Sequence, residues 1–153
     1  MKNKTTKNGI DEFLSSNTIA IAGVSRNPKK FGYMVYSELK QKGFNVLPMN
    51  PKVDSIDGDK CYSDIKALPL SPEALIILTP KKETDMIVQQ SIEQGIRNIW
   101  IQQGSETKQT MDMISSAAGN FITGECIFMF VEPVKGIHSF HRFVNKLFGA
   151  YPR

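Results

Sequence analysis

The chain has 153 residues, 41% hydrophobic and 22% charged, which excludes a disordered chain, a collagen and a disulfide scaffold and leaves room for one core. Its longest apolar run, Ala74 to Thr79, is far short of the roughly 20 residues that span a bilayer. No apolar signal segment follows the basic N-terminus, and Cys61 and Cys126 lack metal-type spacing, so a reduced, cytoplasmic setting is expected. The net charge of +4 resides in the ends, where Lys2, Lys4 and Lys7, and again Lys135, Arg142, Lys146 and Arg153, stand without acids. Such ends read as solvated tails, not as the basic stripe of a nucleic-acid binder.

In chain order, Thr18–Ala22 reads as a buried strand ending at Gly23. Phe31–Gln41 reads as a helix with Val35 and Leu39 on one face and Gly43 as its stop. Phe44–Met49 is a second strand, irregular because Pro48 lacks an N–H. A turn-rich stretch through Asp54, Gly58 and Asp59 leads to a short helical piece, Ser63–Leu68. Ala74–Thr79 is a continuous apolar strand suited to the middle of a parallel sheet. Glu83–Gln94 is a helix with Met86, Ile87 and Ile92 as expected core contacts. Asn98–Gln102 is a fourth strand, Glu106–Ala118 a helix, and Phe121–Thr123 a fifth strand; Glu125–Val131 has no clear period. Strands alternating with helices make βαβ units. The expected fold class is α/β, a doubly wound, Rossmann-like five-stranded parallel sheet with helices on both faces. One domain is expected over 1–153, with its core at about 17–131.

Open parallel sheets bind ligands beyond the carboxyl ends of their strands, at the switch point. The residues there are Gly23 to Lys30, Asn50 to Lys52, Thr79 to Lys81 and Gln102 to Ser105. The first turn reads GVSRNPKKFG. Gly23 permits a sharp turn, the following helix directs N–H groups at an anion, and Ser25, Arg26, Lys29 and Lys30 can add donors and charge; the alternative is a solvated basic loop. Neither G-x-G-x-x-G nor G-x-x-x-x-G-K-[ST] is present. The second strand ends in Asn50-Pro51-Lys52, where an NAD site usually places an acid for the ribose. Lys52 favours an additional phosphate instead.

IAGVSRNPKKFGYMV and GFNVLPMNPK, followed by KCYSDI, ILTP, IWIQQG and GEC, resemble in that succession the stand-alone CoA-binding domain proteins. Their Rossmann-like domain also forms the N-terminal half of the alpha subunit of succinyl-CoA ligase. The resemblance runs from Thr18 to Cys126 and implies CoA or an acyl-CoA as the ligand. By position, it implies that Gly23, Val24 and Ser25 wrap the phosphate end, with Lys30 and Arg26 neutralising charge. It places Asn50, Pro51 and Lys52 near the adenosine and its 3′-phosphate. Thr79 and Pro80 border the ligand at the third strand, and Gln102 and Gly104 border the pantetheine path. Cys126 matches a cysteine that recurs near that path, and two readings stand: a small buried hydrophobe, or a thiol that forms a mixed disulfide with CoA. Lys30 departs from the arginine of many relatives, and the segment after Cys126 departs from their short ending.

Catalytic motifs are scarce. His138 and His141, three apart in GIHSFHRF, could supply two metal ligands or simply sit on a helix boundary. No Ser-His-Asp order, H-E-x-x-H or paired-carboxylate motif is recognisable. Ile137, Phe140, Val144, Leu147 and Phe148 give residues 136–149 one apolar helix face. The expectation is that this helix docks on the sheet; a homodimer contact, a protein partner and an anionic membrane surface are the alternatives. Three functions compete: a non-catalytic CoA- or acyl-CoA-binding module, a part of an acyl-CoA ligase or transferase whose partner supplies the reactive group, and an NAD(P)-binding oxidoreductase. The strand-end residues favour the first.

Overall fold

The computed structural model describes residues 5–131. The expected helix at 136–149, with His138 and His141, lies outside the described residues. The elements run α1 (Lys7–Leu14), β1 (Thr18–Ala22), α2 (Phe31–Gln41), β2 (Asn45–Met49), β3 (Ser55–Ile56), β4 (Asp59–Lys60), β5 (Ala74–Ile77), α3 (Lys81–Glu93), β6 (Asn98–Ile101), α4 (Lys108–Ser115) and β7 (Asn120–Ile122). Single 3-10 turns occur at Ile65–Ala67 and Ile127–Met129. The main sheet has five strands in the order β2-β1-β5-β6-β7, all parallel. The expected doubly wound α/β sheet is therefore present. Among the described residues no helix is long and apolar enough to cross a membrane.

Strand alternation sorts the core into two layers, because successive side chains leave opposite faces of a sheet. Ile19, Ile21, Ile76, Trp100 and Ile122 pack with Ile10 and Phe13 of α1 and Val35, Tyr36 and Leu39 of α2. Ala20, Ala22, Leu75, Ile77, Ile99 and Ile101 pack on the other face with Val88 of α3 and Ile114 of α4. Pro48 is tolerated because β2 is the sheet edge. Its carbonyl accepts the N–H of Tyr62 at 2.9 Å, which covers part of that edge.

Several local expectations need correction. The basic N-terminal stretch is not only solvated: Thr6 caps α1 by accepting from the N–H of Gly9 at 3.1 Å, and Phe13 meets Trp100 edge to face at 5.4 Å. The apolar signal, Ile10, Phe13 and Leu14, spans too few residues to stand out against the lysines. On α3, Met86 is 58% exposed, while Thr84, Val88 and Ser91 are buried. Small hydroxyls can face the sheet because they find partners locally: Ser91 donates to the carbonyl of Ile87 at 2.6 Å, and Thr84 bonds Thr79 at 3.1 Å. α4 is shorter than its apolar period, because Thr107 caps it by accepting from the N–H of Thr110 at 3.0 Å. The piece at 63–68 is one 3-10 turn, capped by Asp64.

The stretch between β2 and β5 contains a hairpin, β3–β4, turned through Asp57 and Gly58 with φ of 50° and 83°. Polar contacts tie it to α2. Tyr33 donates to Asp57 at 2.6 Å, Tyr36 donates to Asp59, and Lys40 pairs with Asp59 at 2.6 Å. Burial, then the Asp59 bond, pushes the Tyr36 phenol up to about 12. Lys40 and Tyr36 together hold the Asp59 carboxyl below its usual range.

Two consequences can be measured. A Cβ on Gly32 would stand 2.1 Å from the carbonyl oxygen of Gly23, so Gly32→Ala is expected to lower stability by about 1–3 kcal/mol through overpacking. Denaturant midpoints check this; an unchanged midpoint would contradict the close packing of α2 on the end of β1. Glu125 is half-buried after β7, and burial pushes its carboxyl up from 4.5 to about 7. Between those values the folded chain holds a proton that the unfolded chain releases. The associated stability is thus complete below about pH 4.5 and is lost as pH rises through about 7. Glu125→Gln should flatten the decline in melting temperature between pH 5 and 8, and a decline identical to that of the wild type would sink the assignment.

Candidate functional site

The sheet order reverses at β1, so the connections that leave β1 and β5 run to opposite faces of the sheet and leave a crevice. A cleft of about 510 Å³ opens there, lined at its base by Ala22, Gly23 and Met49. Asn50, Pro51 and Lys52 form one rim, and Thr79 and Pro80 the other. Gly23 turns the chain with φ of 96°, and a Cβ there would press on Leu78 at 3.1 Å. The N–H groups of Gly23 and Val24 both reach the carbonyl of Met49, at 3.1 and 3.2 Å, and so seat this turn against β2.

The loop from Gly23 to Lys30 is ordered by its own short side chains. Ser25 accepts from the N–H of Asn27 at 3.0 Å, and Asn27 accepts from the N–H of Lys29 at 3.0 Å. Lys30 is the N-cap of α2 and supplies no side-chain cap bond. The helix start therefore keeps donors for an anion. Arg26, Lys29 and Lys30 are exposed, and none of them makes an ion pair among the described residues. Across the cleft rim, Lys52 is also exposed. Val24 is fully buried, so only its main chain faces this region, and its carbonyl accepts from the Asn50 amide at 2.8 Å.

Of the expected site residues, Val24, Ser25, Arg26, Lys30, Gln102, Gly104 and Cys126 do not line this cleft, whereas Gly23, Asn50, Pro51, Lys52, Thr79 and Pro80 do. Gln102 is buried and accepts from the N–H of Ile127 at 3.1 Å, which joins the end of β6 to the segment after β7. Gly104 has φ of 89° and donates to Glu106 at 2.8 Å. Cys126 is buried in the layer between the sheet and helices α1 and α2. Burial also pushes the Cys61 thiol up, and its sulfur lies 3.9 Å from the carbonyl oxygen of Asn50.

The third wall of the cleft was not legible as a site. It consists of the 3-10 turn, with Ser63, Asp64 and Ile65, and one face of α3, with Glu83, Met86, Ile87 and Gln90. Spacing of three and four residues puts the α3 group on one side of the helix; the sequence reading takes two of the four, Met86 and Ile87, as core. Asp64 is engaged as a cap, bonding the N–H of Ala67 at 3.0 Å and Ser63 at 3.1 Å. Asp85, one residue from the wall, takes hydroxyl bonds from Thr107 and Thr110 at 2.5 and 2.6 Å, which hold its carboxyl below the usual range and fasten α3 to α4. The cleft thus sets Lys52 on one rim against an apolar surface of Met49, Met86 and Ile87. It suits an elongated ligand with anionic groups beside a flat apolar one.

Known proteins resemble this chain in sequence and fold. The family described as CoA binding domain matches residues 17–132. The chain is 33% identical over 93 residues to the alpha subunit of an ADP-forming acetate–CoA ligase II of Pyrococcus furiosus, covering 60% of this chain and 20% of that one. The chain therefore spans about a fifth of that subunit's length. A Bacillus subtilis protein, YneT, is 24% identical over 123 residues, covering 80% of this chain and 91% of its own. Among solved structures, a conserved hypothetical protein of Pyrococcus furiosus superposes with a TM-score of 0.69 at 33% identity, covering 72% of this chain and 96% of the other. A Pyrococcus horikoshii protein superposes with a TM-score of 0.77 at 23% identity, covering 89% and 96%. The match over 17–132 places the chain in the CoA binding domain family.

Proposed function

We propose that the protein binds CoA or an acyl-CoA, with the nucleotide end in the cleft at the ends of β1, β2 and β5, and performs no bond-making step of its own. The observation that carries this reading is a cleft at the switch point, lined by Gly23, Asn50 and Lys52 in a member of this family, with the exposed cations Arg26, Lys29 and Lys30 and the uncapped start of α2 following Gly23 in the chain. The pyrophosphate lies against the turn from Gly23 to Ser25, with Lys30 and Arg26 as counter-charges. The 3′-phosphate meets Lys52. The adenine rests on Met86 and Ile87, whose apolar surface would otherwise face water. The pantetheine arm leaves toward Gln102 and Gly104. Membership in the family supports the ligand class, and the exposed cations support the charge pattern.

A second reading is favoured by the acetate–CoA ligase alpha subunit among the relatives. On that reading the domain supplies the CoA site to a partner that supplies the reactive group. An NAD-dependent oxidoreductase is disfavoured, because Pro51-Lys52 follows β2 where a carboxylate would hold the ribose.

Calorimetry should rank CoA above dephospho-CoA, and both above NAD. A charge-assisted contact to the 3′-phosphate is worth about 1.5–3 kcal/mol; NAD binding as tightly as CoA would reverse the reading. Met86→Glu should leave stability within about 0.5 kcal/mol, since the side chain is exposed, yet weaken CoA several-fold. Unchanged CoA affinity would remove α3 from the ligand site.

A further inference from the structure

Asn50 sits at the cleft rim, but most of its polar groups are already engaged within the protein. Its side-chain N–H₂ donates to the carbonyl of Val24 at 2.8 Å, and its side-chain oxygen accepts the N–H of Lys52 at 2.8 Å. Its main-chain N–H donates to the carbonyl of Tyr62 at 2.9 Å. One amide thus bridges the loop after β1, which leads to Arg26, Lys29 and Lys30, and the turn after β2, which carries Lys52. These two segments belong to different strand ends; the main-chain N–H groups of Gly23 and Val24 seat the first against Met49, and among the described residues Asn50 adds the side-chain bond between them. The cations on both segments, Arg26, Lys29, Lys30 and Lys52, are exposed.

We propose that Asn50 is a positioning residue that sets the spacing between the loop after β1 and Lys52, and so lets the site distinguish a ligand with two separated phosphate groups from a ligand with one. The inference rests on the CoA reading. The two halves of the bridge do different work. The bond to Lys52 is an i to i+2 turn bond, which orients the lysine. The bond to Val24 is a strut that holds this turn at a fixed distance from the phosphate loop. Ser25 makes the same i to i+2 bond with a hydroxyl, to the N–H of Asn27 at 3.0 Å. A serine at position 50 can therefore keep the turn while losing the strut.

The test measures CoA and dephospho-CoA affinities by calorimetry on the full chain, for the wild type, Lys52→Ala, Asn50→Ala, Asn50→Ser and the double variant Lys52→Ala with Asn50→Ala. Thermal melts accompany each. The wild type is expected to prefer CoA by roughly tenfold or more, as a charge-assisted contact implies. Lys52→Ala brings the preference close to one, and Asn50→Ala lowers it most of the way. The double variant shows no further loss of preference, the non-additivity of two residues acting through one contact. Asn50→Ser, which keeps the turn and loses the strut, lowers the preference to a level between those of the wild type and Asn50→Ala, and it keeps the test decisive if Asn50→Ala fails to fold; a folded Asn50→Ser with the full preference overturns the strut. If a folded Asn50 variant weakens both ligands equally in the alanine form, with the preference intact, the positioning role is overturned while the CoA reading stands. Loss of the preference in Asn50→Ser to the same degree as in Lys52→Ala overturns the division of labour between turn and strut. A wild type that binds neither CoA nor dephospho-CoA overturns the CoA reading itself, and the inference falls with it.

Discussion

The carboxyl edge of the sheet depends on how closely α2 can approach the end of β1. Gly32 lies against the carbonyl of Gly23 with no room for a Cβ, and this contact brings the first turn of the helix down beside the strand end. A helix start carries unpaired N–H groups and a partial positive charge that fades within a turn. Only a close approach makes that charge felt at the cleft. Gly23 meets the complementary requirement, since its positive φ and its contact with Leu78 both exclude a side chain. The two glycines act at one joint, and the loop between them inherits its position from it.

Around that joint, the structure assigns polar residues to fastening and leaves cations open. Asp64, Asp85 and Asp59 are each engaged by hydroxyls, a backbone N–H or a lysine. Asn27 and Asn50 close turns. The lysines and arginine of the first loop, by contrast, have no ion-pair partner among the described residues. Carboxylates near the rim would compete with an incoming anion for the cations; Asp64 and Asp85 are turned to caps and hydroxyls, while Glu83 shares the cleft wall with Met86 and Ile87. The hairpin β3–β4, held on α2 through Tyr33, Tyr36 and Lys40, steadies the long connection that begins at Lys52.

The same economy explains α3. Its sheet-facing side is built from Thr84, Val88 and Ser91, small enough to let the helix lie close to β5. The larger apolar residues then fall on the flank. Met86 is left exposed on the cleft wall, and Ile87 is half-buried next to it. An apolar surface at a strand end is useful for a ligand with a flat base, whereas the same residues in the core would have closed the cleft.

The order of strands and helices was legible from the sequence because burial on both faces of a parallel sheet writes continuous apolar runs, such as Ala74–Ile77, and helices write a 3.6-residue period. The joint at Gly23, the cations after it and the Asn50-Pro51-Lys52 turn were legible because topology places strand ends together whatever the side chains are. The wall formed by α3 was not. Composition marks Met86, Ile87 and Ile92 as core candidates, yet at about 100° per residue the three spread around α3; the local bonding of Thr84 and Ser91 lets the face between Ile87 and Ile92 meet the sheet and leaves Met86 outside. Helix α1 was hidden for a related reason, since its three apolar positions lie in eight residues with Asp11 and Glu12 among them, and Phe13 meets its partner Trp100 only once the sheet is assembled. Nor could the sequence separate a residue that touches a ligand from one that holds another in place. Asn50 takes the second role through a bond to Val24, a contact between residues 26 apart that exists only once β1 and β2 lie side by side.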